Sequence, residues 1–98
     1  MVEEYKIPRN YMERVVKETL EKLLKDRNDI CKCEECIADM MAYALNRLPP
    51  KYVVTDRGYV FSKLSEVETQ FQVDVLEAVL EAIEVISKNP RHSVSKKR

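Results

Sequence analysis

The sequence predicts an all-α fold: a small three- to four-helix bundle with a long C-terminal helix, packed as a homodimer, with a short extended loop after helix two. Three observations carry this expectation. Apolar residues recur at steps of three and four through three separate stretches. One glycine and four prolines leave little material for hairpin turns. The last stretch is longer and more apolar than the second can cover, and a surplus apolar face on a helix calls for a partner. Ninety-eight residues make a single domain, residues 1–98. Its core is modest, so a metal or a second subunit would add stability that the core alone does not supply.

Residues 1–9 read as a lead-in, with Pro8 turning Ile7 away from helix. Asn10 then starts helix one, a capping residue with Glu13 three places on. Met12, Val15, Val16, Leu20, Leu23 and Leu24 form its apolar stripe, and charged residues fill the other face. The helix is expected from 11 to 27, closed by Asp26-Arg27-Asn28-Asp29. Helix two starts near Cys33–Glu35 and presents Ile37, Met40, Met41, Ala44, Leu45 and Leu48. The two methionines fit a core or a dimer seam better than a soft-metal site. Pro49-Pro50 ends the helix, because proline lacks the amide donor and restricts the residue before it.

Residues 49–58 form a loop in which Lys51–Thr55 can run extended and Asp56-Arg57-Gly58 can turn. Ser62 or Ser65 caps helix three, Ser65 having Glu68 three residues later. From Leu64 through Val67, Phe71, Val75, Leu76, Val79, Leu80, Ile83 and Ile86 the spacing stays helical up to Asn89-Pro90. A helix over 63–88 would be about 39 Å long. Val73 and Val85 widen its apolar face. Residues 93–98 are read as a flexible basic tail, a solvated terminus ending in Lys96-Lys97-Arg98.

The composition also excludes classes. Formal net charge is zero, so nothing draws the chain as a whole toward nucleic acid. No apolar run is long enough to span a bilayer, and MVEEYKIPRN lacks the basic start and apolar stretch of a secretory signal. The expected location is therefore cytoplasmic, with no membrane partner. Thiols stay reduced there, which turns clustered cysteines into metal ligands or redox groups rather than staples.

All three cysteines fall in one such cluster. Cys31, Cys33 and Cys36 make C-x-C-x-x-C where a tight turn enters helix two. Zinc takes four soft or borderline ligands in a tetrahedron, and the free amides of a helix start favour thiolates. Three thiolates leave one position to fill. His92, the single histidine, follows the Pro90 break and completes a Cys3His set if helix three returns beside the junction. That bond would clamp the end of the chain to its middle, a structural use of zinc. Asp39, a water or a group from a second subunit are the other fourth ligands. Buried small hydrophobes and a thiol–disulfide pair at Cys33 and Cys36 are the rival readings of the cysteines, but the latter lacks the strand–helix context of redox folds. No histidine–glutamate pair, G-x-S-x-G or P-loop supplies catalytic machinery, so no enzyme is expected. A second site is conceivable at Lys51, Tyr52, Thr55 and Arg57, whose cations, ring and hydroxyl suit a phosphate and a stacked base.

The string Cys31-Lys-Cys33-Glu-Glu-Cys36-Ile-Ala-Asp39, then Ala42-Tyr-Ala44-Leu45-Asn46-Arg-Leu48-Pro49-Pro50-Lys-Tyr52-Val53-Val54-Thr55, then Asn89-Pro90-Arg91 resembles the late competence development protein ComFB family. The match covers most of residues 10–92. The resemblance implies a small, mainly helical, symmetric dimer with a cysteine-bound zinc. Some members place a fourth cysteine shortly after the N-P-R segment, where this chain has His92. The family name comes from an operon serving DNA uptake in competent bacteria. Some members look like cyclic-dinucleotide receptors, which would direct attention to Lys51, Tyr52, Thr55, Asp56 and Arg57. The expected function is that of a non-enzymatic, zinc-stabilised dimeric interaction or regulatory protein with an unidentified protein partner. The alternative is a receptor for c-di-GMP or c-di-AMP.

Overall fold

The computed structural model describes residues 4–64 and 68–91. In chain order these form β1 (Glu4–Asn10), α1 (Tyr11–Leu24), α2 (Glu34–Leu45), β2 (Tyr52–Thr55), α3 (Asp56–Leu64) and α4 (Thr69–Lys88). The fold is thus mainly helical, with four helices and a small two-stranded sheet, and the all-α expectation is corrected by that sheet.

The sheet replaces the expected lead-in. β1 runs antiparallel to β2, with Arg9 opposite Val53 and Asn10 opposite Tyr52. The register shifts between Glu4 and Arg9, the stretch that holds Pro8, which has no amide to give to a ladder. Asn10 joins strand to helix. Its side-chain oxygen accepts the Met12 N–H at 3.1 Å and the Lys51 N–H at 2.9 Å. Lys51 in turn accepts the Tyr11 N–H at 2.6 Å. The capping residue read from the sequence therefore also fastens the loop after α2 to the start of α1.

Helix α1 ends at Leu24, earlier than the expected 27. Arg27 turns back instead, donating its N–H to the Leu24 carbonyl and gripping the Asp29 carboxylate through two side-chain bonds of 2.9 Å. Helix α2 closes at Leu45, and a tight turn through Leu48 leads to the prolines.

The expected turn at Asp56-Arg57-Gly58 is the opening of α3. Thr55 caps it: the hydroxyl accepts the Gly58 N–H at 3.1 Å. Gly58 has no left-handed backbone, and a methyl there would meet Thr55 and Val53 at an ordinary 3.6 Å. The glycine marks no turn. The long helix expected over 63–88 is consequently two helices, α3 and a 20-residue α4. Ser65 lies outside the described residues. At 20 residues against 12, α4 still extends beyond α2 by roughly 12 Å.

The core forms where α1, α2 and α4 meet. Met12, Val16 and Leu20 come from α1, Cys36 and Met40 from α2, and Val75, Val79 and Ile83 from α4, with Val53 of β2 at one end. α2 and α4 share the largest interface. Ala44, Ala78 and Ala82 are buried, small side chains that let two helix backbones approach closely. Met40 is fully buried, as a core reading requires, while Met41 packs at the margin. The buried face of α4 runs through Val75, Ala78, Val79, Ala82 and Ile83. Leu76 and Leu80, part of the helical apolar spacing read from the sequence, are 42% and 48% exposed, and with Val73 they form an outward stripe at helical spacing. No helix of the described residues is long and apolar enough to cross a membrane.

Candidate metal centre

The three cysteines are gathered by the junction between α1 and α2. Lys32 donates from its Nζ to the Leu24 carbonyl at 2.9 Å, drawing the connection under the end of α1. Ile30 is buried beside it. Cys33 is the N-cap of α2, with extended backbone, and its Sγ accepts the Cys36 N–H at 3.5 Å. Glu34 and Glu35 fill the first turn, where acidic residues suit the positive end of the helix dipole. The chain thus turns at Cys33 so that residues before and after it face one point.

The three Sγ atoms all lie within 4.8 Å of one another. Sulfurs bound tetrahedrally to zinc at about 2.3 Å stand about 3.8 Å apart, so a small contraction closes them on an ion. The cluster descends from surface to core: Cys31 is exposed, Cys33 half-buried and Cys36 only 1% exposed. The electrostatics follow that gradient. The Cys36 N–H, donated to sulfur, holds the Cys33 thiol below its ordinary value. Burial, reinforced by the neighbouring Cys31 and Cys33 thiols, pushes Cys36 up to about 12. A divalent cation is the species that would let all three ionise together. Soft sulfur donors at this spacing fit zinc.

Asp39 is engaged elsewhere. Its carboxylate accepts from Arg91 Nε at 3.0 Å and from a second guanidinium nitrogen at 3.4 Å. Arg91 also reaches Glu35 at 3.8 Å. As a fourth ligand Asp39 is therefore set aside: among the described residues the ligand cluster is the three cysteines. His92 lies outside the described residues. Arg91, the last residue of the Asn89-Pro90-Arg91 string, is anchored on α2 by contacts that the sequence did not foretell.

The second candidate set does not converge. Lys51 places its Nζ 4.8 Å from the centre of the Phe71 ring on α4. Tyr52 is 66% exposed, while Val53 between it and the sheet's buried side is covered. Thr55 shares the parity of Val53, so it faces away from Tyr52, and its hydroxyl is engaged as a cap. Asp56 opens α3, though its side chain lies outside the described residues, and Arg57 is exposed.

The structure adds a groove that the sequence did not suggest, of about 340 Å³, lined by Arg9, Asn10, Tyr11, Glu13, Arg14, Val53 and Tyr59. Tyr11 and Tyr59 meet edge to face at 5.0 Å, and Arg14 sits over Tyr59 at 5.6 Å. It depends on β1 and α3, the two elements absent from the sequence reading.

Known proteins resemble this arrangement. Residues 9–90 match the family model described as late competence development protein ComFB. The competence protein ComFB of Bacillus subtilis strain 168 is 30% identical over 81 residues, 83% of each chain. A solved structure of the late competence protein ComFB from Bacillus subtilis superposes with a TM-score of 0.71 at 28% identity, covering 86% of this chain and 94% of that one. With residues 9–90 matched by the family model and the fold matched over 86% of the chain, the chain belongs to the late competence development protein ComFB family.

Proposed function

We propose that the chain is a non-enzymatic, zinc-stabilised homodimer acting as an interaction or regulatory protein in competence, the process named in its relatives. The observation that carries the metal half is the convergence of Cys31, Cys33 and Cys36 sulfurs at the start of α2. His92 is the proposed fourth ligand. A closed Cys3His set leaves no open position for substrate, and zinc held there acts as a structural clamp between the α1–α2 junction and the segment after α4. The outward stripe of Val73, Leu76 and Leu80 supports the dimer half, since a second copy would bury it.

Freshly purified protein should carry about one zinc per chain by elemental analysis. Acid should release it. Each ligand thiol must give up its proton to bind, so protons compete with the ion and affinity falls as pH falls. The proton on Cys36, held most tightly in the metal-free site, sets the steepest demand. Titration from about pH 8 to about pH 5 with a chromogenic chelator should show release rising below neutrality. Metal content far below one per chain, or release indifferent to pH, would contradict the reading.

A cyclic-dinucleotide receptor is the second reading. It draws on the exposed Tyr52 ring with Lys51 and Arg57 nearby in sequence, and would place Thr55 and Asp56 at its margin. Calorimetric titration with c-di-GMP and c-di-AMP separates the two, and flat traces for both remove it.

A further inference from the structure

We propose that Cys31 is a site of oxidation by hydrogen peroxide: its exposed sulfur is oxidised first and closes a disulfide onto Cys33 at the start of α2, which leaves the cluster unable to hold a metal. The disulfide rests on the three sulfurs alone. The loss of metal rests on the reading of the cluster as a metal centre.

Oxidation starts at a sulfur that the oxidant can reach. Cys31 is exposed, Cys33 half-buried and Cys36 only 1% exposed. Access therefore selects Cys31, which lies in the α1–α2 connection and not in a helix. A sulfenic acid formed there condenses with a second thiol when one stands close by. All three sulfurs lie within 4.8 Å of one another, and a disulfide closes at about 2.05 Å. Cys36 is held in the first turn of α2 and in the core. Cys33 is the more yielding partner. Its backbone is extended, and residues two apart on extended chain point to the same side. Its sulfur accepts only a long 3.5 Å bond from the Cys36 N–H, and sulfur is a weak acceptor. Lys32, between the two cysteines, is tethered to the Leu24 carbonyl at 2.9 Å, which keeps the connection at the mouth of α2.

The Cys31 thiol takes one oxygen from the peroxide as the O–O bond breaks, and water leaves. The Cys33 sulfur then attacks the sulfenic sulfur, and the S–O bond breaks. The departing hydroxyl leaves as a second water with the Cys33 thiol proton. Two thiols have given up one electron each, and both peroxide oxygens are reduced. Of the three donors only the Cys36 thiol remains, too few to hold a tetrahedral ion. Burial shields that thiol from the same oxidant, so a dithiol reductant restores the cluster.

The test treats the full chain, zinc-loaded and chelator-treated, with stoichiometric hydrogen peroxide, then alkylates the remaining thiols and maps tryptic peptides by mass. Trypsin cuts after Arg27, Lys32 and Arg47, which puts Cys31 in one peptide and Cys33 with Cys36 in the next. A Cys31–Cys33 disulfide therefore joins two peptides, whereas a Cys33–Cys36 disulfide stays inside one. The expected product is the joined pair with its alkyl group on Cys36, formed within a single chain on a non-reducing denaturing gel and undone by dithiothreitol. Zinc should pass to a chromogenic chelator in step with it. Cys31→Ser, an exposed change that spares the core, should lose the joined peptides and keep Cys33 and Cys36 reduced. A disulfide inside the second peptide, one between chains, one from Cys31 to Cys36, a sulfinic acid at Cys31 or unchanged thiols would each overturn the assignment. Joined peptides in a protein that keeps its zinc would overturn the loss of metal. Joined peptides in a chain that never carried zinc would bear out the oxidation site and remove the metal reading, so the two failures are told apart.

Discussion

Replacing Cys33 with serine should strip the metal and lower the melting temperature by roughly 15–30 °C, the equivalent of about 4 kcal/mol in a domain of this size. The choice of serine matters. Cys33 is both a candidate ligand and the N-cap of α2, and serine is itself a strong N-cap. The variant therefore keeps the helix start and removes the sulfur, so the loss reads metal and not capping. The full metal-binding free energy of isolated zinc motifs, about 10–16 kcal/mol, is not expected, because a core built on Met12, Val16, Met40 and Val79 persists without the ion. Two measurements check it by scanning fluorimetry and elemental analysis. Chelator should lower the wild-type melting temperature by the same amount, and should leave Cys33→Ser where it is. Equal melting of wild type and variant, with equal zinc, would end the metal reading.

The second large effect is on assembly. Leu80→Glu should convert a dimer of 11.5 kDa chains into monomers. Leu80 is 48% exposed and belongs to the outward stripe with Val73 and Leu76. In a lone protomer a carboxylate there stays hydrated and changes stability little. Between two protomers it would be desolvated without a partner, which an interface does not tolerate. Light scattering after size exclusion gives the answer directly. A wild-type mass of one chain at tens of micromolar, or a variant mass still twice the chain, would count against this face as the dimer seam. Circular dichroism should remain unchanged, which separates dissociation from unfolding.

What the sequence disclosed follows from where the deciding contacts lie. Asn10 as a cap, the stripes of α1 and α2 and the cysteine cluster are local features, and each is where it was expected, while α2 closes at Leu45, short of the stop read at Pro49-Pro50. Strand β1 was not legible, because Pro8 has no amide for a ladder and only the pairing with β2 makes the lead-in a strand. Helix α3 was hidden by Gly58, which suggested a turn, whereas the deciding feature was the Thr55 hydroxyl turned onto a backbone amide. Reading α3 and α4 as one helix followed from that miss. The apolar spacing from Leu64 onward was real, but Leu64 belongs to an exposed end of α3. In α4 the apolar spacing was legible, but not which of its residues face inward. Ala78 and Ala82 are buried and Leu76 and Leu80 are exposed, a choice of face that the spacing of apolar residues alone does not make. Asp39 looked like a ligand by spacing, and the cation that engages it comes from the far end of the chain.

The pairing of β1 with β2 also bears on synthesis. On the ribosome Glu4–Asn10 emerge roughly forty residues ahead of Tyr52–Thr55, a delay of about 2–8 s at typical elongation rates. Throughout that interval the nascent strand has no ladder to join, and the Asn10 oxygen awaits the Lys51 amide. The strand is thus made well before the partner that completes its ladder.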